Sequence, residues 1–294
     1  MCGIAGIFSS ALALEDRKLK LGKMLQAQEH RGPDATQEWH DSQCSLGHNR
    51  LSIIDLSTNA NQPMPSSCGR YVIVFNGEIY NYLEIKKELL PHFQFQTQSD
   101  TEVLLNAYIY WGTDFLHQLN GMFSLAIWDK QEKTLFIARD RFGVKPFYYY
   151  ADAQQFTFAS EIKTLWASGI KKICNQKVWA NYLSFGTYGM PNETFWDTIH
   201  QLPAGHFLEY TTNNLVIKKW YHFEDKIAEL QQLKQIDEEE FITNLLLKAI
   251  NLRFRADVPV GFNLSGGLDS STLLALIDKQ DIDKKAIEAL QKHN

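Results

Sequence analysis

Cysteine is scarce in this chain, which has four in 294 residues: Cys2, Cys44, Cys68 and Cys174. Their spacing matches neither a zinc-binding pattern nor a CxxC redox pair. The last three are therefore expected to be ordinary thiols of a cytoplasmic protein, where disulfides are rare. This scarcity argues against a disulfide-rich secreted domain and against a structural zinc site.

Long apolar runs and an excess of one charge are also lacking. No run approaches the ~20 residues needed to span a bilayer, and no basic region followed by an apolar stretch indicates a signal peptide. Lys and Arg number 29 against 34 Asp and Glu, so neither nucleic acid nor a membrane is expected as a partner. The hydrophobic content of 45% supports a real core, and the length allows two domains or one large one.

Hydrophobic periodicity predicts a strand-rich first part. Residues 2–8 alternate small and apolar like a buried strand, and a 3.6-residue period predicts a helix over 101–119. Four β-rich runs between residues 122 and 160, separated by polar or glycine-bearing turns, predict an antiparallel meander. The other predicted elements are a surface helix over 16–28 and strands over 45–54, 71–82 and 215–223.

The pattern changes after Gly205. Residues 224–239 are charged and Gln-rich and are predicted to be a linker, and 239–252 form an amphipathic helix. The next stretch, VPVGFNLSGGLDSSTLLALI (258–277), reads as an apolar strand, a glycine turn and an apolar helix. That order is typical of the opening of a parallel α/β unit.

Cys2 follows the initiator Met1 directly. If Met1 is removed, Cys2 carries a thiol and a free α-amine, which titrate near ~8.5 and ~7.7–8.0. The neutral amine can then accept the thiol proton at about pH 7, which makes an activated nucleophile on one residue. The simpler alternative is that the residue at position 2 has no role.

Asn76-Gly77 lies between alternating runs and supports two interpretations. Asn-Gly is a strong hairpin signal, because both central residues of a type I′ turn need a positive φ. The functional interpretation is an oxyanion hole, in which the Asn side-chain amide and the Gly backbone N–H stabilise developing negative charge.

Three further sites each have a structural and a functional interpretation. Arg50 in an apolar strand needs an internal salt bridge or a bound carboxylate. Asp100 follows Ser99, which has capping-box spacing to Glu102, so Asp100 either serves the helix dipole or holds a ligand ammonium group. The turn Arg31-Gly32-Pro33-Asp34 is either a rigid loop or part of a site. A thiol, an oxyanion hole, a carboxylate clamp and an ammonium clamp together fit glutamine.

Residues 1–210 resemble the glutaminase domain of the class II glutamine amidotransferases, which are N-terminal nucleophile hydrolases. Seven motifs match in order and spacing. They are MCGIAGIF (1–8), HRGPD (30–34), GHNRLSIIDL (47–56), FNGEIYNY (75–82), SDTEVLL (99–105), GMFSLAIWD (121–129) and ARDRFGVKPFYY (138–149).

This resemblance implies an α+β fold: an N-terminal αββα sandwich of two antiparallel sheets, followed by the beginning of a truncated α/β ATP-pyrophosphatase domain. It implies Cys2 as the nucleophile, Asn76 and Gly77 as the oxyanion hole, and no cofactor or metal for the glutaminase half. The residues that it assigns to glutamine binding are Arg50, Leu51, Ser52, Ile53, Ile54, Asn76, Gly77, Glu78 and Asp100.

The motif SGGLDSS (265–271) is expected to bind phosphate, because glycines expose backbone N–H groups and a helix N-terminus follows. It resembles the pyrophosphate loop of the ATP pyrophosphatases. With LPAGH (202–206) and RADVPVGFNL (255–264), it resembles the glutamine-hydrolysing asparagine synthetases. That family uses ATP and Mg²⁺ to activate aspartate as β-aspartyl-AMP, which ammonia from glutamine then converts to asparagine. The residues implied to contact ATP are Leu264, Ser265, Gly266, Gly267, Leu268, Asp269 and Ser270.

The expected organisation is a glutaminase domain over 2–210, a linker over 211–236 and an incomplete synthetase domain over 237–294. One strand and one or two helices cannot form a doubly wound sheet, so the chain alone is expected to perform only the glutaminase half. A separate chain could complete the synthetase domain, and a homodimer is a further option. One alternative is a related class II amidotransferase that amidates a sugar, peptide or secondary metabolite, because the pocket for the acceptor lies outside this sequence. The other alternative is an inactive remnant.

Overall fold

The structure is a computed structural model that describes residues 1–212, 214–231 and 237–279. The chain divides into two compact units. The first comprises Met1–Ser52 and Ser57–His222, and the second comprises Ile53–Leu56 together with the chain from Phe223 onward. Among the described residues, no helix is long and apolar enough to cross a membrane.

The first unit contains two six-stranded antiparallel sheets, which confirms the predicted fold class. The strands of sheet A, in spatial order, are β10 (His200–Gln201), β8 (Tyr148–Ala151), β9 (Phe156–Ala159), β1 (Gly3–Phe8), β3 (Cys44–Arg50) and β2 (Ala35–His40). Those of sheet B are β12 (Asn214–Lys219), β11 (His206–Thr211), β7 (Thr134–Arg139), β6 (Gly121–Asp129), β5 (Tyr71–Ile79) and β4 (Met64–Pro65).

Helices cover the outer faces of both sheets. The helices of this unit are α1 (Leu14–Ala27), α2 (Tyr82–Leu89), α3 (Asp100–Trp111), α4 (Phe115–Gln118), α5 (Ile162–Ala167) and α6 (Gln176–Phe185). Alternation along β5 shows the layering, because Val72 and Val74 pack between the sheets while Ile73 and Phe75 pack against the helical layer of α3. Strand β1 is buried along its whole length, because both of its faces are covered.

The predicted helix over 101–119 is interrupted. Helix α3 ends at Trp111, where Gly112 adopts a φ of 58°, and a 3₁₀ turn over Gly112–Asp114 leads into α4. Glycine accepts a positive φ without a Cβ penalty, so the chain changes direction there. The apolar period continues through the break because both helices bury residues in the same core cluster.

The predicted meander over 122–160 is split between the two sheets. Strands β6 and β7 pair in sheet B, whereas β8 and β9 pair in sheet A. The chain crosses between the sheets through residues 140–147, where the Asp140 carboxylate accepts backbone N–H groups of Phe142, Val144 and Lys145. The sequence of a polar turn does not show whether the turn joins two strands of one sheet or connects two sheets.

The described part of the second unit contains three helices: α7 (Phe223–Gln231), α8 (Glu238–Arg253) and α9 (Leu268–Lys279). Helices α8 and α9 confirm the two predicted helices, but α7 occupies part of the predicted linker, of which residues 232–236 lie outside the described residues. The predicted strand around residues 259–264 is not formed. A strand needs a hydrogen-bonding neighbour, and the described residues of this unit include no other strand.

Candidate active site

Four elements of the first unit converge on Cys2: the start of β1, the end of β3, the end of β5 and the start of α3. The antiparallel register sets Gly3 opposite Asn49, so Cys2 lies at the end of β3. Its Sγ accepts the N–H of Leu51 at 3.4 Å and contacts the Leu51 carbonyl oxygen at 3.6 Å. The predicted nucleophile is therefore held at the end of the strand that carries Arg50.

Burial decides the protonation states around Cys2. Burial raises the pKa of the Cys2 thiol, although the Leu51 N–H and the N-terminal ammonium group oppose this. Burial also lowers the pKa of the N-terminal ammonium group, which belongs to Met1 here, and the positive charge of Arg31 lowers it further. A protonated thiol therefore lies beside an amine that loses its proton more easily than usual, as an amine-activated nucleophile requires.

Asn76 and Gly77 lie inside β5, so the hairpin interpretation is wrong. They pair with Ser124 and Phe123 of β6 in a continuous ladder. Gly77 is required there because a Cβ would come within 2.2 Å of the Met122 carbonyl oxygen. The close approach of two strands, rather than a turn, explains this glycine.

Both predicted oxyanion donors are oriented in a way that suits the role. Asn76 is 1% exposed, and its Nδ2 has no partner among the described residues. The amides of Phe75 and Ile79 leave the ladder to bind Gln62 Oε1 and Asp100 Oδ2, so the Gly77 N–H faces the same edge of β5. An unpaired buried donor costs about 1–3 kcal/mol, a cost that a bound anion removes.

His48 connects the two sheets next to these donors. Burial lowers the pKa of its imidazole to about 3, so the ring is neutral. Its Nε2–H donates to the Phe75 carbonyl oxygen at 3.1 Å and joins β3 to β5 at the peptide that precedes Asn76. We did not predict a role for His48, because a single histidine in an apolar strand gives no signal by itself.

Arg50 is buried at the end of β3. Its Nη1 donates to the Ser57 carbonyl oxygen and to Asn61 Oδ1, both at 2.7 Å. These two contacts hold the guanidinium group in place at the end of β3. This arrangement suits the predicted carboxylate clamp.

Asp100 is the first residue of α3, and Ser99, rather than Asp100, is the helix cap. Ser99 Oγ accepts the Thr101 N–H as the cap, but the Glu102 carboxylate binds the N–H groups of Gln96 and Thr97, so the predicted capping box is incomplete.

Burial and the nearby Glu78 charge raise the pKa of Asp100 to about 7. Glu78 follows Asn76 by two residues on β5 and so shares its face of the sheet. A ligand ammonium group would favour the ionised form of the Asp100 carboxylate.

The structure favours the site interpretation of the turn 31–34. Arg31 Nε donates to the Cys2 carbonyl oxygen at 2.9 Å, and Nη1 pairs with Glu161 at 3.0 Å. Its Nη2 is buried without a partner among the described residues. Asp34 accepts the Ser52 N–H at 2.7 Å. Arg31 was not among the predicted site residues, because a turn motif supports the loop and the site interpretation equally.

Leu51 lies beside the nucleophile through its backbone, and Ser52 follows it with its N–H bound to Asp34. The part of both residues in glutamine binding stays a prediction. Ile53 and Ile54 are in the short segment that groups with the second unit, so their contribution to glutamine binding stays a prediction. In that unit, Asp257 donates its N–H to the Ile53 carbonyl oxygen at 2.9 Å, and its carboxylate accepts the Asp55 N–H at 2.7 Å.

The predicted nucleotide loop is exposed in the second unit. Gly266 has a φ of 75°, α9 begins at Leu268, and the hydroxyls of Ser265 and Ser270 are 3.0 Å apart. Open N–H groups at the start of a twelve-residue helix fit a phosphate group. Within the described ranges, no cluster of three or more His, Cys, Asp or Glu side chains could hold a metal ion. Mg²⁺ bound with ATP needs only one or two carboxylates beside the phosphates. Asp269 is an acidic residue in the first turn of α9.

Two family models match the sequence. The Glutamine amidotransferase domain matches residues 1–221, and the Asparagine synthase family matches residues 242–287. The first match contains every residue of the Cys2 site, and the second contains the whole SGGLDSS loop.

Curated relatives resemble the chain along most of its length. Asparagine synthetase (glutamine-hydrolyzing) 3 of Bacillus subtilis is 35% identical over 280 residues, which cover 94% of this chain and 45% of the relative. Amidase chry2 of Gibberella zeae is 35% identical over 255 residues, which cover 84% of this chain and 37% of the relative. The chain thus spans less than half the length of these two relatives.

A solved structure resembles the fold. Glutamine phosphoribosylpyrophosphate amidotransferase from B. subtilis superposes with a TM-score of 0.55 at 19% identity and covers 75% of this chain and 49% of its own. With the amidotransferase model matching residues 1–221 of the sequence, the chain belongs to the glutamine amidotransferase family and has the fold of the N-terminal nucleophile hydrolases.

Proposed function

We propose that the first unit hydrolyses glutamine to glutamate and ammonia at Cys2. One observation carries the proposal: a sulfur at the N-terminus lies at the end of β3, and the neighbouring β5 carries a buried Asn76 Nδ2 with no partner among the described residues. Nucleophile and oxyanion donor are the two groups that acyl transfer needs.

The reaction uses the chain's own groups in order. After removal of Met1, the Cys2 amine takes the thiol proton, and Sγ attacks the side-chain carbonyl carbon of glutamine. Asn76 Nδ2–H and Gly77 N–H stabilise the oxyanion. The C–N bond breaks, the amine returns its proton to the leaving ammonia, and water then cleaves the thioester to release glutamate.

Glutamine is held at both ends. The Arg50 guanidinium group binds its α-carboxylate in a bidentate manner. Asp100 and Glu78 bind its α-ammonium group, and the backbone from Leu51 to Ile54 lines the pocket. Binding of the ammonium group ionises Asp100, so recognition and protonation are linked.

The second unit contains the first part of the domain that uses the ammonia. In the whole protein, ATP with Mg²⁺ activates aspartate as β-aspartyl-AMP, and ammonia displaces AMP to form asparagine. The residues from Leu264 to Ser270 contact ATP. The match to the Asparagine synthase family over 242–287 supports this proposal. This chain performs the glutaminase half in the cytoplasm.

A second candidate acceptor has its own support. The relative named Amidase chry2 is as similar to this chain as the B. subtilis synthetase is. A related enzyme that amidates another carboxylate would use the same glutaminase site, because the acceptor contacts neither Cys2 nor Asn76.

The test measures products of the purified chain. With glutamine alone, we expect glutamate and ammonia in equal amounts. With ATP, Mg²⁺ and aspartate added, we expect no asparagine. Absence of ammonia would refute the glutaminase, and asparagine formation would refute the assignment of this chain to one half-reaction.

A further inference from the structure

Lys145 is a buried cation in the segment that crosses between the sheets. The residue is 4% exposed, and in the described part of the chain no hydrogen bond or ion pair reaches its ammonium group. Buried lysines are rare unless they are paired, because removing an ammonium group from water is costly. The fold therefore maintains an unfavourable charge at this position.

The backbone around Lys145 is fixed on both sides. Its N–H donates to Asp140 Oδ2 at 3.0 Å, and its carbonyl oxygen accepts from Arg139 Nε at 2.7 Å. Two residues later, Phe147 is fully buried in the core between the sheets. These contacts fix the position of the Lys145 backbone. They involve its N–H and carbonyl groups and not its ammonium group.

Geometry places Lys145 next to the strands of the site, because Asp140 Oδ2, which accepts its N–H, also accepts the N–H of Phe123, the β6 partner of Gly77. The charged groups around it come from four parts of the fold. They are Glu78 on β5, Cys2 before β1, Arg31 after α1 and Asp140 after β7. Burial lowers the pKa of Lys145, Arg31 lowers it further, and the two carboxylates and Cys2 oppose this. Cys2 is the only nucleophile in this group.

We infer that Lys145 is a positioning residue that sets the charge state of the nucleophile. Its ammonium group, in the same cluster as Cys2, Glu78 and Arg31, favours the deprotonated Cys2 sulfur and the neutral N-terminal amine. The inference deepens the proposed glutaminase and rests on it.

The electrostatic effects on the nucleophile agree in sign. Burial raises the pKa of the Cys2 thiol and Asp100 raises it further, whereas Lys145 lowers it. Burial lowers the pKa of the N-terminal ammonium group, here that of Met1, and both Arg31 and Lys145 lower it further. Loss of the Lys145 charge would therefore raise both pKa values and move activity toward alkaline pH.

A purely structural lysine would behave differently. Replacement by methionine keeps the length of the side chain and removes the buried charge, so Lys145→Met should unfold at the same temperature as the original chain or at a higher one. A residue that lowers stability and raises reactivity is characteristic of functional sites.

The test follows alkylation of Cys2 by iodoacetamide between about pH 6 and about pH 9, since the thiolate is the reacting form. Peptide mass spectrometry separates Cys2 from the other three cysteines. We compare Lys145→Met and Lys145→Arg with Lys177→Met, whose side chain is 71% exposed at the surface. Glutamine hydrolysis is measured over the same pH range.

For Lys145→Met we expect the Cys2 alkylation rate at pH 7 to fall by roughly tenfold, the change expected for one pH unit. The acid limb of kcat/KM should move to higher pH. Lys145→Arg should restore both profiles, and Lys177→Met should leave them unchanged.

A folded Lys145→Met variant with the original alkylation profile would overturn the inference, as would a change confined to the KM for glutamine. If the original chain releases no ammonia, the proposed function fails. The alkylation profile still decides the role of Lys145, because it needs no substrate.

Discussion

Each of the two units carries a sequence motif that is typical of its family, but the motif residues are buried in the first unit and exposed in the second. In the first unit, Asn76 is buried inside β5 and Asp100 is buried at the start of α3. In the second unit, the loop that begins at Ser265 is exposed, and Leu268 at the start of α9 is 82% exposed. A sequence motif thus indicates which chemistry a unit can perform. The motif residues are held in position only where the sheet and the elements that pack on it are all present.

This difference separates what each unit can do. The first unit has both sheets and the helical layers that cover them, so packing holds the buried Asn76 side chain in place. The second unit contains helices and a loop, without a described strand beneath the loop. We therefore expect ammonia release to depend on the first unit and to tolerate changes in the second.

The largest effect should come from removing one oxyanion donor. Asn76→Ala should lower kcat for glutamine hydrolysis by about 10²–10³-fold, because the buried amide is lost without a substitute. Steady-state ammonia release measures this loss. Asn244→Ala, on the exposed face of α8 in the second unit, is the matched control. Equal losses in the two variants would break the comparison.

Glycines should test the rigidity of each unit. Gly77→Ala introduces a Cβ at 2.2 Å from a backbone oxygen, so the strands must separate, at a cost of about 1–3 kcal/mol.

Gly266→Ala meets no atom within 4 Å, and its positive φ costs about 1–2 kcal/mol in a loop that can relax. Urea unfolding should show the larger loss for Gly77→Ala, and the opposite order would contradict the view that the first unit is the rigid one.

A smaller effect concerns the pH dependence of stability. The folded pKa of Asp100 is about 7, above its ordinary value, so between about pH 4 and about pH 7 only the unfolded chain ionises this group. Its contribution to the unfolding free energy should then fall by about 1.4 kcal/mol per pH unit as pH rises through that window. Unfolding of Asp100→Asn, measured without glutamine, should show a flatter dependence, and an unchanged slope would exclude a raised pKa.

The motif resemblance predicted the sandwich of two sheets, and periodicity predicted most of its strands, because both depend on local sequence. The roles of the site residues stay predictions. The predictions from the sequence were wrong where the structure of a segment depends on a neighbouring strand. Asn76-Gly77 lies in a strand because β6 approaches closely there, and residues 259–264 form no strand because no described partner lies beside them. Lys145 and His48 gave no signal either, because burial arises only when distant segments pack together.

Replacement of the first cysteine tests the central claim most directly. We predict that Cys2→Ala reduces ammonia release from glutamine to background while the thermal unfolding transition is retained, and that Cys174→Ala, at an exposed thiol, keeps full activity. Undiminished ammonia release by Cys2→Ala would contradict the account, as would full activity in protein whose mass shows that Met1 is still attached.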